Sequence, residues 1–159
     1  MSEVTINRRQ AVRTAAGVAA GSVLVAGAGV GAAAANDNSS GLVGSWVITH
    51  RNNKPAPPEV GKAIVSFIAG GVIVANEFDP VGPLETGSWA SRSNNRFVAT
   101  LWSGFEAEGK NPAGTVRIQV SGHRSGDKVS GTFKVTVYPK KGKSESVTGT
   151  FSGTRLDAD

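Results

Sequence analysis

The 159-residue sequence predicts an all-β fold: an eight-stranded antiparallel up-and-down β-barrel following an N-terminal signal segment. Three observations predict it. Beyond Ala35 the chain repeats short β-rich runs separated by turn residues, with no stretch of helical period. Val116, Ile118 and Val120 alternate with Thr115, Arg117 and Gln119. Val129, Phe133, Val135 and Val137 alternate with Lys128, Ser130, Thr132, Lys134 and Thr136. Such alternation means one face buried and one face wet, as in antiparallel sheets. Finally, 21 glycines suit a chain with many tight turns. Sequential hairpin-linked strands can close on themselves and leave no edge. A barrel of eight is just wide enough to fill with side chains or to hold one small ligand. An immunoglobulin-like sandwich is the alternative, but its cysteine and tryptophan anchors are absent.

Residues 1–35 read as an export signal and stand apart from the fold. Asn7-Arg8-Arg9-Gln10-Ala11-Val12-Arg13 carries an arginine pair, and an uncharged run rich in alanine, glycine and valine follows it. Ala33-Ala34-Ala35 before Asn36 is a small-residue cleavage site. The pair resembles the twin-arginine motif, with Asn7 and Ala11 where Ser/Thr and Phe usually stand. That resemblance implies export to the periplasm or beyond by the twin-arginine machinery. An ordinary secretion signal and a retained anchor are the other readings.

Residues 36–41 form a polar leader, 42–156 the barrel domain and 157–159 a C-terminal tail. The first run is 42–51. Pro55, Pro57 and Pro58 exclude regular structure from the loop 52–61. Runs 62–69 and 72–78 are joined through Gly70-Gly71, a strong hairpin signal. The segment 79–85, with Pro80, Gly82 and Pro83, reads as a second loop. Strand 86–91 turns at Ser93-Asn94-Asn95 into 96–107. Runs 115–124 and 128–138 meet at Ser125-Gly126-Asp127, and residues 140–143 lead into 144–156.

Composition excludes several function classes. Without Arg8, Arg9, Arg13 and Glu3, the 17 basic and 12 acidic side chains fall to 14 and 11, a modest excess. The dense basic cluster Lys140, Lys141 and Lys143 lies at a turn, and no basic stripe is interleaved with aromatics, so nucleic acid is not an expected partner. No membrane span is expected once the signal is removed. There is no cysteine, hence no disulfide, thiol nucleophile or thiolate metal site. The histidines His50 and His123 show no metal-ligand spacing, so no metal is expected. No P-loop, Rossmann fingerprint or Gly-x-Ser-x-Gly elbow is present, and no cofactor is expected.

Gly44-Ser45-Trp46 opens the first strand and Gly153-Thr154-Arg155 closes the last. Here the sequence resembles the calycin-like barrels: lipocalins, fatty-acid-binding proteins and their bacterial relatives. That resemblance implies that Trp46 plugs one barrel end, with Arg155 lying across its ring, and that the interior holds a small molecule. The chain departs from it in lacking a Thr-Asp-Tyr-type turn and a C-terminal helix. The eight-stranded allene-oxide-cyclase and dirigent barrels are near alternatives. Strand parity supports the Trp46–Arg155 pairing independently, because in a closed barrel the last strand lies beside the first.

The same parity places Ile48 and His50 on the Trp46 face, with His50 some 13 Å along the strand from Trp46, roughly four rises of 3.3 Å. The imidazole then stands at a pocket mouth, beside the proline-rich loop as a lid, or is simply wetted at a rim. His123 is expected on the outer face. The expected ligand is a small, mainly hydrophobic molecule: His50 at its polar end and Ile48, Val65, Phe67 and Phe133 around its body. Glu77 and Glu106 are weaker candidates for acid–base work, since carboxylates at strand ends are mostly solvated. A cofactor-free isomerase or cyclase, and a structural domain without a pocket, remain open beside the binder. Which face of 96–107 points inward is not fixed by its pattern.

Overall fold

In a computed structural model, the described residues are 41–53, 58–108 and 113–157. The proposed signal segment, the expected leader as far as residue 40, residues 54–57 of the proposed lid, residues 109–112 and residues 158–159 lie outside them. Eight strands form one closed barrel: β1 (Gly44–Asn52), β2 (Val60–Ile68), β3 (Val72–Asp79), β4 (Val81–Ser91), β5 (Arg96–Phe105), β6 (Gly114–Ser125), β7 (Lys128–Pro139) and β8 (Glu145–Arg155). Each pairs antiparallel with the next, and β8 closes on β1, with Trp46 opposite Arg155 and His50 opposite Phe151.

The turns follow their residues. Gly70 and Gly71 both have φ near +86°, and Asn94 and Asn95 have φ of 59° and 57°. These are the left-handed dihedrals that tight hairpin turns require. The segment 79–85 is not a loop. β4 begins at Val81, and the β3–β4 register slips between Asn76 and Phe78, so that Asn76 faces Leu84 and Phe78 faces Val81. Gly82 and Pro83 fall in that irregularity, where a residue without an N–H interrupts no regular ladder. The strand therefore runs through two prolines' neighbourhood and carries Glu85 onto the inner face. Conversely, β5 stops at Phe105, two residues short of its expected end.

The end of the barrel where β1 begins is sealed. Trp46 is fully buried, its indole Nε1 donates to Leu42 O at 3.0 Å, and the Arg155 guanidinium lies 4.5 Å from the ring centroid. Arg155 also donates to the carbonyls of Val43 (2.9 Å) and Gly41 and approaches Asp127 at 3.4 Å. Gly44 has φ +130°, and a Cβ there would sit 2.6 Å from Arg155 Nη1. The Gly-x-Trp spacing thus has a steric cause: only glycine leaves room for the arginine. Above the plug, Phe67 meets Trp89 and Phe97 edge-on at 5.5 and 5.2 Å, and Phe97 meets Phe151 at 6.3 Å. The half of the interior nearest the plug is filled with aromatic rings.

On β5, Phe97, Ala99, Leu101 and Phe105 are buried and Trp102 is 45% exposed, which settles the inward face. Outside, Trp102 stacks near Tyr138 with the Arg117 guanidinium 5.7 and 5.5 Å from the two rings.

Candidate functional site

The opposite half of the barrel carries the polar groups. β1 sends Trp46, Ile48, His50 and Asn52 inward. β3 sends Ile73, Ala75 and Glu77 inward, and β4 sends Glu85 and Trp89. His50 Nε2 lies 2.9 Å from Glu77 Oε1, with the side chains only 14% and 8% exposed. That distance suits a charge-assisted contact, while neither buried ring nitrogen makes a regular hydrogen bond among the described residues. Phe133 presents its ring at 89° to the imidazole, 5.8 Å away.

β1 and β3 are not neighbours, so this pair reaches across β2. It can do so because β2 puts its smallest residues between them: Gly61 opposite His50 and Ala63 opposite Glu77. A Cβ on Gly61 would stand 2.5 Å from His50 Nε2. Gly61 is therefore what lets the imidazole lie over β2.

Glu85 sits opposite Ala75, one inward position from Glu77 on the adjoining strand, and is also buried. Asn52 stands beyond His50 towards the loop, buried, with its Nδ2 donating to Glu59 Oε2 at 3.4 Å and its Oδ1 without a partner among the described residues.

His50, Glu77 and Glu85 face a cavity of about 90 Å³. Ile48, His50, Val65, Phe67 and Phe133, proposed from the sequence, all line it, together with Glu77 and Glu85. An apolar cavity of about 150 Å³ accepts benzene, so this one suits a molecule smaller than benzene. Long-chain ligands do not fit the interior as it stands. No lysine or arginine lines it.

Parity with Trp46 puts His50 on the inner face, where the sequence left it either at a pocket mouth or wetted at a rim. The structure buries it against a carboxylate. Glu77 is likewise not a solvated strand-end charge. Its parity with Ile73 and Ala75 was visible and outweighs its nearness to the strand end. Glu85 was missed because 79–85 read as a loop; its spacing from Trp89 was the available signal. Glu106 is exposed after the end of β5 and does not line the cavity. His123 is exposed on the outer face, 3.5 Å from Ser130 Oγ. Among the described residues, no three His, Asp, Glu or Cys side chains are gathered as a metal site.

No protein-family model matches the chain, and comparison with curated proteins and with solved structures finds no match. The functional reading therefore rests on the barrel and the chemistry inside it.

Proposed function

We propose that this protein is an exported barrel that binds a small, mainly apolar molecule between the aromatic plug and the His50–Glu77 pair. The observation that carries the reading is the division of the interior. One half is packed with rings, while the other keeps a cavity with apolar walls and a few convergent polar groups, the usual make-up of a small-molecule site. A domain built only for shape has no need of a histidine and two carboxylates inside its core, where each costs free energy unless satisfied. The Gly44–Trp46 start with Arg155 across the indole, shared with the calycin-like barrels, supports the same reading. Native mass spectrometry of protein purified from its own host tests it. A co-purified small molecule, displaced from a variant with Val65→Trp filling the cavity, is the expected result; an empty wild-type barrel that takes up no apolar probe overturns it.

One observation favours a second reading, a cofactor-free isomerase. An imidazole held against a buried carboxylate is an arrangement able to take and return a proton within a water-poor site. Incubation of the co-purified molecule with the protein in heavy water separates the two. Deuterium incorporated at a ligand carbon, and lost with His50→Ala, marks the enzyme; unchanged mass marks the binder.

A further inference from the structure

We propose that the protein pairs with a second copy of itself through the outer face of β2–β5. The proposal is independent of what the cavity holds. The outside of the barrel is divided. Ile64 and Ile68 on β2, Val72 and Phe78 on β3, and Val81 and Leu84 on β4 are each 41–73% exposed. Trp102 on β5, 45% exposed, continues the face. The opposite wall shows the reverse: the exposed positions of β6, β7 and β8 are polar, Gln119, Thr132, Lys134, Thr148 and Thr150 among them.

Strand register joins the apolar positions into one surface. Ile68 pairs with Val72, Phe78 pairs with Val81, and Asn76 stands between Ile64 and Leu84. Trp102 lies opposite Thr86 and so diagonal to Leu84, within reach of a large side chain. At these exposures the seven side chains leave on the order of 600 Å² open, at the top of what a monomer's largest apolar patch reaches and approaching the roughly 800 Å² each partner gives to a standard interface. At the edge, Trp102 and Tyr138 stack beside Arg117, whose buried Nε has no hydrogen-bond partner among the described residues. Tryptophan, tyrosine and arginine are the residues that dominate interface energetics.

Charge decides the occupant. Among the described residues, the outside of β2, β3 and β4 carries Lys62 and Asp79, one of each sign, 4.0 Å apart. A twofold pair needs a patch complementary to itself, and this one meets its copy without net repulsion. The outside of β6 and β7 carries Lys128 and Lys134 with no carboxylate on either strand, so two such walls repel. A lipid surface asks for basic residues around an apolar face. Here the rim sets Asp79 and, just past β5, Glu106 against Lys62.

Sedimentation equilibrium of the protein recovered from its own host tests this, and a dimer is expected. Leu84→Lys and Ile64→Lys should each weaken it at least about tenfold, and Thr132→Lys on the polar wall should leave it intact. The chain has no cysteine, so Val74→Cys places a single thiol within the face. Oxidation should join two copies of that variant and not of Thr132→Cys. A wild type still monomeric at about 0.1 mM, weaker than the micromolar association such an area supports, overturns the proposal. If that monomer floats with phosphatidylcholine vesicles, the face belongs to a lipid surface instead. A dimer indifferent to both lysine substitutions, or joined through Thr132→Cys and not Val74→Cys, places the interface elsewhere and overturns it as well. The wild type and the two cysteine variants decide even where a lysine variant does not fold.

Discussion

At the scale of single residues the structure concentrates its cost in one contact. His50 and Glu77 are both mostly buried and meet at 2.9 Å. Removing one partner of such a pair leaves the other in an apolar site, a loss of about 3–5 kcal/mol when burial is complete. For His50→Ala the lower end is expected, about 3 kcal/mol, rather than the indifference of a rim histidine. Adding Glu77→Gln to that variant should restore part of the loss. Urea denaturation of the four proteins of this cycle reads the coupling, and additivity within about 0.5 kcal/mol would show that the two side chains do not sense each other. Gly61→Ala is expected to do similar damage from the neighbouring strand, since its Cβ would occupy the imidazole's position at 2.5 Å. At the other end, Trp46→Ala should cost about 3–5 kcal/mol, as truncation of a buried aromatic does.

Strands and turns show where glycine is steric and where it is conformational. On β8, Gly149 faces inward opposite Phe133, and a Cβ would lie 2.2 Å from the ring's Cζ and 2.3 Å from Arg51 O. Backbone cannot yield as a flexible side chain does, so Gly149→Ala should lose about 1–3 kcal/mol by overpacking. Gly126 in the β6–β7 turn has φ +58° with nothing within 4 Å of its would-be Cβ. There alanine meets only the backbone penalty of about 1–2 kcal/mol. Thermal melts of the two variants should rank them so; a more damaging Gly126→Ala would mean that turn geometry, not interior space, limits the barrel. The same distinction explains what could be read in advance. Alternation made β6 and β7 legible, and Gly70-Gly71 and Asn94-Asn95 announced their hairpins. β4 was only half legible, because Pro83 reads locally as a strand breaker, whereas an irregularity within β4, where Gly82 and Pro83 stand against Glu77 alone, absorbs it. The meeting of His50 with Glu77 was beyond the pattern altogether. It depends on which small residues the intervening strand places between them, and that follows from register.

Closure makes the molecule one cooperative unit. β1 and β8 are each paired on both sides, as every strand of the closed barrel is, so amide exchange in Val47 and Thr154 should be slowed as it is in β6 and β7. Faster exchange confined to β1 and β8 would mean that the seam opens. The seam also sets a limit on processing. Arg155 donates to the carbonyls of Gly41 and Val43, and Trp46 to that of Leu42, so the plug needs the chain from Gly41 onward. A cut after Ala35, beyond the arginine pair and the uncharged run, would remove the proposed signal and spare every one of these contacts; a cut after Leu42 would strip the plug of two acceptors, the carbonyls of Gly41 and Leu42. N-terminal sequencing of exported protein should therefore begin near Asn36. Arg8→Lys with Arg9→Lys keeps the charge but changes the pair itself, and should strongly reduce export. The mature barrel, lacking residues 1–35, should melt like the uncleaved chain. Export of the double variant at the wild-type level, with the general secretion route blocked, would overturn the twin-arginine assignment while leaving the barrel and its cavity untouched.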